Sequence, residues 1–252
     1  MAIYISLQAT LRRIEAACVR FQRDPAEVTL LPVSKTFPAE ALREAYAAGA
    51  RSFGENYVQE ALDKIEALID LRPQLQWHLI GPLQSNKTRA VAEHFDWVHS
   101  IDRLRIAERL SAQRPPELPP LNVCIQVNVS GEASKSGVAP EETAALAQAV
   151  AALPRLRLRG LMAVPEPLAD FEAQRAPHHR VAQLYQALRA QGLALDTLSL
   201  GMSADLEAAI AEGATLVRVG SAIFGQRPRS PAEQDLAPSR EEFHRNTAGL
   251  PP

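Results

Sequence analysis

The stretch that decides the fold is "TLLPVSKTFPAEALREAYAAGARSFGEN", residues 29–56. An apolar, β-branched run comes first, a helical pattern follows over residues 38–48, and a second apolar run occupies residues 52–56. Gly49 stands where a glycine commonly ends a helix. This order of strand, helix and strand predicts a crossover unit whose two strands are parallel.

The same alternation continues along the whole chain. The strand candidates are residues 28–35, 52–56, 76–82, 97–102, 122–130, 157–165, 197–203 and 216–225. An amphipathic helix is predicted at residues 2–22, and the helical patterns between strands are residues 38–48, 58–71, 87–94, 103–113, 140–153, 171–191 and 205–211. Strands that are apolar throughout and are joined by helices indicate a parallel sheet covered on both faces.

Eight such units in 252 residues predict an α/β fold, a single (β/α)8 TIM barrel with an N-terminal helix, over residues 1–227. The alternative is a doubly wound open sheet. That fold normally has a glycine-rich turn after its first strand, and "VSKTFPAE" contains no glycine. Residues 228–252, rich in proline and charge, are predicted to form a surface tail outside the barrel.

Composition excludes several classes of function. A net charge of −2 and a pI near 6.3 argue against a nucleic-acid or anionic-membrane partner. No apolar run approaches the length of a membrane span, and the N-terminus, with Arg12 and Arg13 in a helical pattern, does not resemble a secretory signal. Cys18 and Cys124 have no metal-ligand spacing and are predicted to be small core residues. We therefore expect a cytoplasmic protein without a structural metal.

Lys35 is the unusual residue of the first strand. It ends an otherwise apolar run, and burial of an ammonium is costly unless the group is paired, neutralised or used chemically. The alternative is that Lys35 lies at the rim of the barrel and extends its amine into water.

Other polar side chains also fall at strand ends, which meet at one mouth of such a barrel. Loops after the seventh and eighth strands often bind phosphate in this fold, and here they read Gly201-Met202-Ser203 and Gly220-Ser221. Ser203 is the predicted N-cap of the next helix, and taken singly each loop could serve only as a cap or a turn. The residues that we predict at the mouth from the strand ends are Lys35, Glu55, Asn56, His78, Gly81, Asp102, Asn128, Ser130, Met162, Ser199, Gly201, Met202, Ser203, Arg218, Gly220 and Ser221.

A lysine opposite a phosphate site, without a glycine-rich nucleotide loop, suggests an imine-forming lysine that holds pyridoxal 5'-phosphate. Arg218 lies two residues before Gly220 and therefore points to the same side of its strand. Facing the pyridine ring, an arginine would keep the ring nitrogen unprotonated and make the ring a weaker electron sink. A structural ion pair is the alternative role for Arg218.

Long motifs of this chain resemble one known family. They are "LLPVSKT", "FGENYVQEALDK", "WHLIGPLQSNK", "SIDRLRIAERL", "NVSGEASKSG", "RLRGLMAVP" and "LSLGMSADLEAAIAEGATLVRVGSAIFG", and they look like those of the pyridoxal-phosphate homeostasis proteins. The resemblance runs from about residue 5 to 227. It implies a barrel similar to the N-terminal domain of alanine racemase, the fold type III barrel.

The resemblance also implies roles for individual residues. Lys35 would carry the cofactor as an imine. Phosphate contacts would come from Ser203, Gly220 and Ser221, with Met202, Asn56 and Arg218 around the ring. His78 and Ser199 are further cofactor contacts that the resemblance implies.

Two functions compete on this evidence, a carrier that stores, buffers or delivers the cofactor and an amino-acid racemase. Racemisation needs acid–base groups on both faces of the substrate. Alanine racemases take their second base, a tyrosine, from a C-terminal domain that has no counterpart here, and only Tyr57 among the tyrosines follows a strand end. We therefore expect a monomeric carrier without amino-acid turnover. Direct, transient contact with apo-enzymes during delivery is an open question at this stage.

Overall fold

The computed structural model describes residues 1–131 and 136–226. Its eight strands form one parallel sheet in the order β1-β8-β7-β6-β5-β4-β3-β2. A bridge between Val33 and Gly54, with the Ser34 N–H donating to the Gly54 carbonyl at 3.0 Å, joins the two ends of that order and closes the barrel. The strands are β1 Thr29–Pro32, β2 Ser52–Glu55, β3 Gln76–Leu79, β4 Trp97–Ile101, β5 Leu121–Gln126, β6 Leu156–Met162, β7 Thr197–Ser199 and β8 Leu216–Val219. The predicted (β/α)8 barrel is confirmed.

Helices surround this barrel and connect its strands. They are α1 Ala2–Arg20, α2 Ala39–Ala47, α3 Val58–Ala67, α4 Thr88–His94, α5 Leu104–Gln113, α6 Thr143–Ala151, α7 Phe171–Ala190, α8 Leu206–Ala211 and α9 Ser221–Phe224. The additional helix α1 packs against α2, α8 and α9, so it lies beside the seam between the last and first strands. Within the described residues, no helix is both long and apolar enough to cross a membrane.

The observed strands are shorter than the predicted ones, and nearly all the difference is at their carboxyl ends. The prediction ran β1 on to Lys35, whereas the strand ends at Pro32 and Lys35 lies three residues further along. Strand β7 likewise ends at Ser199 rather than at Ser203. Residues beyond these points keep the apolar or small character of the strands but leave the sheet, because they turn towards the mouth of the barrel. Periodicity cannot show where that turn begins.

The apolar core lies between the sheet and the helices, with fully buried side chains such as Phe53, Trp77, Phe95 and Leu110. One close approach inside the sheet needs glycine, because a Cβ at Gly160 would lie 1.6 Å from the Thr197 carbonyl oxygen. Close packing therefore fixes the spacing of strands β6 and β7.

The predictions for the two cysteines and for three helix-ending glycines are also confirmed. Cys18 and Cys124 are free and buried, and burial raises the pKa of the Cys124 thiol to about 12. Gly49, Gly192 and Gly213 follow helix ends with positive φ. Across the described ranges, no group of three or more potential ligands could hold a metal ion. The predicted tail, residues 228–252, and Lys135 of the loop after β5 lie outside the described residues.

Candidate functional site

A cavity of about 350 Å³ opens at the carboxyl end of the barrel. Its lining comes from the loops that follow strands β1, β2, β3, β6, β7 and β8. Of the nine cofactor contacts that the resemblance implied, seven line it, namely Lys35, Asn56, Met202, Ser203, Arg218, Gly220 and Ser221. The remaining two, His78 and Ser199, are absent from the lining and lie deeper in the barrel. Apolar contacts come from Val33, Phe37, Ile80 and Val164.

Lys35 reaches this cavity from the loop after β1, and it is half-buried. The backbone around it departs from strand geometry, since Thr36 has a φ of +70° although it is not glycine. A β-branched residue in that region is strained and needs support from its surroundings. Lys35 is therefore presented on a constrained loop rather than at the end of an extended strand.

The loop after β7 brings backbone groups to the cavity. Gly201 has a φ of +87°, and a Cβ there would lie 2.5 Å from the Cβ of Ala209, so only glycine fits against α8. Ser203 was predicted to cap the following helix, and this prediction is wrong because Asp205 occupies the N-cap position. The difference leaves the Ser203 hydroxyl available to line the cavity.

Two outer elements hold this β7 loop in place. Asp205 accepts a hydrogen bond from the Met202 N–H at 2.7 Å and pairs with Nε2 of His178 on α7 at 2.9 Å. Burial alone would raise the pKa of Asp205, but these bonds outweigh it and lower the pKa. From α1, Arg13 donates to the Ser203 carbonyl at 2.8 Å while it also pairs with Glu207. The loop is thus clamped from both sides.

The loop after β8 faces the cavity beside the β7 loop. Gly220 is followed at once by the short helix α9, in which the Ile223 and Phe224 N–H groups donate to the Gly220 carbonyl, and the N–H groups of Ser221 and Ala222 come before the first such bond. A Cβ at Gly220 would lie 3.1 Å from the Val33 carbonyl oxygen, so a larger side chain would push β8 away from β1. Backbone N–H groups and the Ser221 hydroxyl therefore converge on one part of the cavity.

Arg218 supplies the positive charge of the cavity floor. Its guanidinium donates to the Ser199 carbonyl at 2.6 Å, the Ser199 hydroxyl at 2.7 Å and the Ala163 carbonyl at 2.9 Å. All three acceptors are neutral, so the described contacts do not place Arg218 in a structural ion pair, which was its alternative role. Burial lowers the pKa of Arg218 to about 10, and the group stays cationic at neutral pH. An anionic ligand in the cavity would meet a buried charge.

Ser199 and His78 belong to a hydrogen-bonded chain inside the barrel, which continues from Arg218. The Ser199 hydroxyl lies 2.9 Å from Nδ1 of His99, and Nε2 of His99 lies 3.0 Å from Nδ1 of His78. Arginine can only donate, so the Ser199 hydroxyl oxygen accepts a hydrogen bond from Arg218. The Ser199 hydroxyl then donates a hydrogen bond to Nδ1 of His99, and Nε2–H of His99 donates one to Nδ1 of His78. The resemblance implied that His78 contacts the cofactor, but the ring stacks on Trp97 and lines an opening at the opposite end of the barrel.

The donor set of the cavity fits pyridoxal 5'-phosphate. Its phosphate needs several N–H and O–H donors, and two adjacent loops provide them where glycine allows close approach. Its ring needs apolar walls, which Val33, Ile80 and Val164 supply. Its aldehyde needs an amine, and Lys35 is the one lysine in the described lining. Asn56 and Arg218 add polar groups for the edge of the ring.

Sequence reasoning missed several residues that build this site. Arg13 and His99 lie outside every quoted motif and Asp205 lies inside one, but the hydrogen bonds through which they act join elements far apart in the chain. Tyr57, which was the single tyrosine considered for the mouth, is exposed and does not line the cavity. The positions of all four side chains depend on how loops and outer helices pack. The pattern of apolar strands in the sequence does not predict that packing.

The comparisons of this sequence with known proteins agree with one another. Residues 5–228 match the family described as "Alanine racemase, N-terminal domain". A pyridoxal phosphate homeostasis protein from Pseudomonas aeruginosa is 66% identical over 215 residues, which are 85% of this chain and 91% of that protein. One from Escherichia coli is 59% identical over 219 residues, 86% of this chain and 94% of that protein.

Solved structures agree with these sequence matches. PipY from Synechococcus elongatus, solved with PLP bound, has a TM-score of 0.76 and 40% identity, over 88% of this chain and 100% of that one. An alanine racemase from Clostridium difficile shares the fold alone, with a TM-score of 0.67 at 13% identity over 87% of this chain and 57% of that one. The chain belongs to the family of pyridoxal phosphate homeostasis proteins, within the group defined by the alanine racemase N-terminal domain.

Proposed function

We propose that this protein binds pyridoxal 5'-phosphate covalently on Lys35 and stores, buffers or delivers it, without turning over amino acids. The observation that carries the proposal is the single cavity in which Lys35, two glycine-containing loops and the buried cation of Arg218 face one another. Membership of the homeostasis family and the PLP named in the PipY structure support it.

Each group in the cavity has a definite task in binding. When bound, the cofactor supplies an aldehyde that condenses reversibly with a lysine amine. Ser203, Ser221 and the backbone N–H groups beside them hold the phosphate by charge-assisted hydrogen bonds. At the floor of the cavity Arg218 offers hydrogen-bond donors and no acceptor. A protonated ring nitrogen needs an acceptor such as a carboxylate, so Arg218 disfavours that protonation. The apolar walls exclude water from the covalent link.

The composition of the cavity favours a carrier over a racemase. Among the residues that line it in the described part of the chain, Lys35 and Arg218 are the only titratable side chains. Racemisation needs a proton donor and a proton acceptor on opposite faces of the substrate. Arg218 serves poorly as either, because its pKa of about 10 keeps it protonated and its N–H groups bond to fixed acceptors.

The covalent link is tested by borohydride reduction of the loaded protein followed by peptide mass mapping. We expect the cofactor adduct on Lys35. An adduct mainly on another lysine, such as the half-buried Lys87, or the absence of an adduct, would contradict the proposal. The variant Lys87→Met, which leaves the cavity unchanged, is the matched control and should give the wild-type map.

The carrier role is tested by incubating the loaded protein with L- and D-alanine and serine in deuterated water. We expect no exchange of α-protons above that caused by free cofactor, together with reactivation of an apo-enzyme that depends on pyridoxal phosphate. Sustained exchange or racemisation that disappears in Lys35→Ala would establish a racemase instead. A cytoplasmic location, a monomeric state and transient contact with the receiving enzyme are further parts of this proposal.

A further inference from the structure

A buried ion-pair cluster lies directly behind the loop that carries Lys35. We call it the Lys64 cluster, and it consists of Ser34, Glu55, Glu60 and Lys64. The Lys64 ammonium donates to Glu55 at 2.8 Å and to Glu60 at 2.6 Å, while the Ser34 hydroxyl donates to the same Glu55 oxygen at 2.6 Å. Glu55 and Ser34 are fully buried, and Lys64 is 5% exposed.

This cluster grips the backbone on both sides of Lys35. On one side, the Lys64 ammonium donates to the Ser34 carbonyl at 2.8 Å. On the other side, the Thr36 N–H donates to Glu60 at 2.5 Å. These bonds hold Thr36 in its strained left-handed conformation, with φ at +70°. The two residues that flank Lys35 are therefore tied to one lysine on α3 and its carboxylate partner.

Stability does not explain why the cluster is present. Burying an ammonium and carboxylates costs several kcal/mol per ion before their attraction repays it, and apolar replacements are often equally stable. The second oxygen of Glu55 has no hydrogen-bond partner within the described residues. Neither Lys64 nor Glu60 lines the cofactor cavity. The arrangement makes sense if its task is to set the position of Lys35.

We propose that Lys64 and Glu60 are positioning residues, which fix the loop so that the amine of Lys35 meets the aldehyde of the bound cofactor. This inference rests on the proposed function, because it concerns the covalent link that the proposed function requires. Lys64 sets the Ser34 peptide and Glu60 sets the Thr36 peptide. Losing either contact should make the position of the Lys35 amine less fixed. The phosphate loops follow strands β7 and β8 and should stay intact.

The test compares two ligands that differ at one group. Pyridoxal phosphate can link to Lys35, whereas pyridoxamine phosphate has the same ring and phosphate but carries an amine in place of the aldehyde. The dissociation constant of pyridoxamine phosphate divided by that of pyridoxal phosphate therefore reports the covalent link separately from ring and phosphate binding. We expect Lys64→Met and Glu60→Ala each to lower this ratio by roughly tenfold, and the affinity for pyridoxamine phosphate to stay at the wild-type value.

Three further proteins make the result decisive. Glu60→Gln keeps an acceptor for the Thr36 N–H, so its ratio should lie closer to the wild-type value than that of Glu60→Ala. This comparison keeps the inference testable if Lys64→Met fails to fold. Asp196→Asn weakens a more exposed ion pair with Arg159, at the opposite end of the barrel, and should leave the ratio unchanged. Wild-type protein checks the proposed function itself, since a failure to prefer pyridoxal phosphate would overturn that function and this inference with it.

The remaining outcomes separate positioning from general damage. If Lys64→Met and Glu60→Ala unfold more easily but keep the wild-type ratio, the cluster serves stability alone and the inference is overturned. An equal loss of affinity for both ligands would overturn it too, because the substitutions would then act on the whole cavity. A lower ratio at unchanged affinity for pyridoxamine phosphate supports it.

Discussion

Acid should destabilise this protein through the two histidines buried inside the barrel. His78 and His99 are fully enclosed, and burial is the main cause that lowers the pKa of each ring, that of His78 to about 3. Both therefore stay neutral in the folded chain at a pH where unfolded histidine, with its ordinary pKa of 6.5, binds a proton. The stability that this difference supports is complete above pH 6.5 and is lost as the pH falls towards the folded pKa.

The size of the effect follows from proton linkage. Each such histidine costs about 1.4 kcal/mol of unfolding free energy for every pH unit below 6.5. Between pH 6.5 and about 5, the two together should therefore remove about 3 kcal/mol, a large part of the stability of a typical domain. Urea unfolding at several pH values in this range measures the slope directly.

Substitution identifies the groups responsible. His78→Gln keeps a polar partner for His99 but cannot titrate, so the pH slope should fall to about half. His94→Gln is the matched control, because His94 is exposed at the end of α4, and it should keep the full slope. A wild-type slope in His78→Gln would refute the reasoning, since it would mean that His78 takes up its proton without unfolding.

Three more outcomes are expected. Ser203→Ala should weaken pyridoxal phosphate binding by about 1.5–3 kcal/mol, the worth of one charge-assisted hydrogen bond, and Gly220→Val should weaken it more; titration with pyridoxal should show no effect of Ser203→Ala. Arg13→Met should weaken the same binding by up to about 1.5 kcal/mol through loss of its bond to the Ser203 carbonyl, measured by the same titrations. Gly160→Ala should prevent folding, judged by circular dichroism, because its Cβ would lie 1.6 Å from the Thr197 carbonyl oxygen.

Local pattern was sufficient to predict the barrel. Apolar strands of three to seven residues alternate with amphipathic helices, and the side-chain period of each element can be read locally in the sequence. Parallel pairing and closure then follow from the number of units and from the lengths of their connections. The placement of Lys35, Gly201 and Gly220 at one end of the barrel needed only the rule that the carboxyl ends of the strands meet there.

Element ends were less predictable, because they depend on competition between alternatives. Ser203 is a good capping residue by type, but Asp205 occupies the cap position since it can bond both His178 and the Met202 N–H. Likewise β1 stops at Pro32 because the chain then turns towards the mouth, held by the bridge from Val33 to Gly54. Such outcomes depend on partners that are distant in sequence.

By itself, then, the sequence determined the fold class, through periods and strand order, and seven residues that line the cofactor cavity, through strand order together with the family resemblance. Only the tertiary structure decided what supports those residues. The grip of Lys64 and Glu60 on the loop of Lys35, and the relay from Arg218 through Ser199 to His99, join elements that are remote along the chain. Hydrogen bonds of this kind require distances of about 3 Å and fixed angles, and only the packed chain sets these.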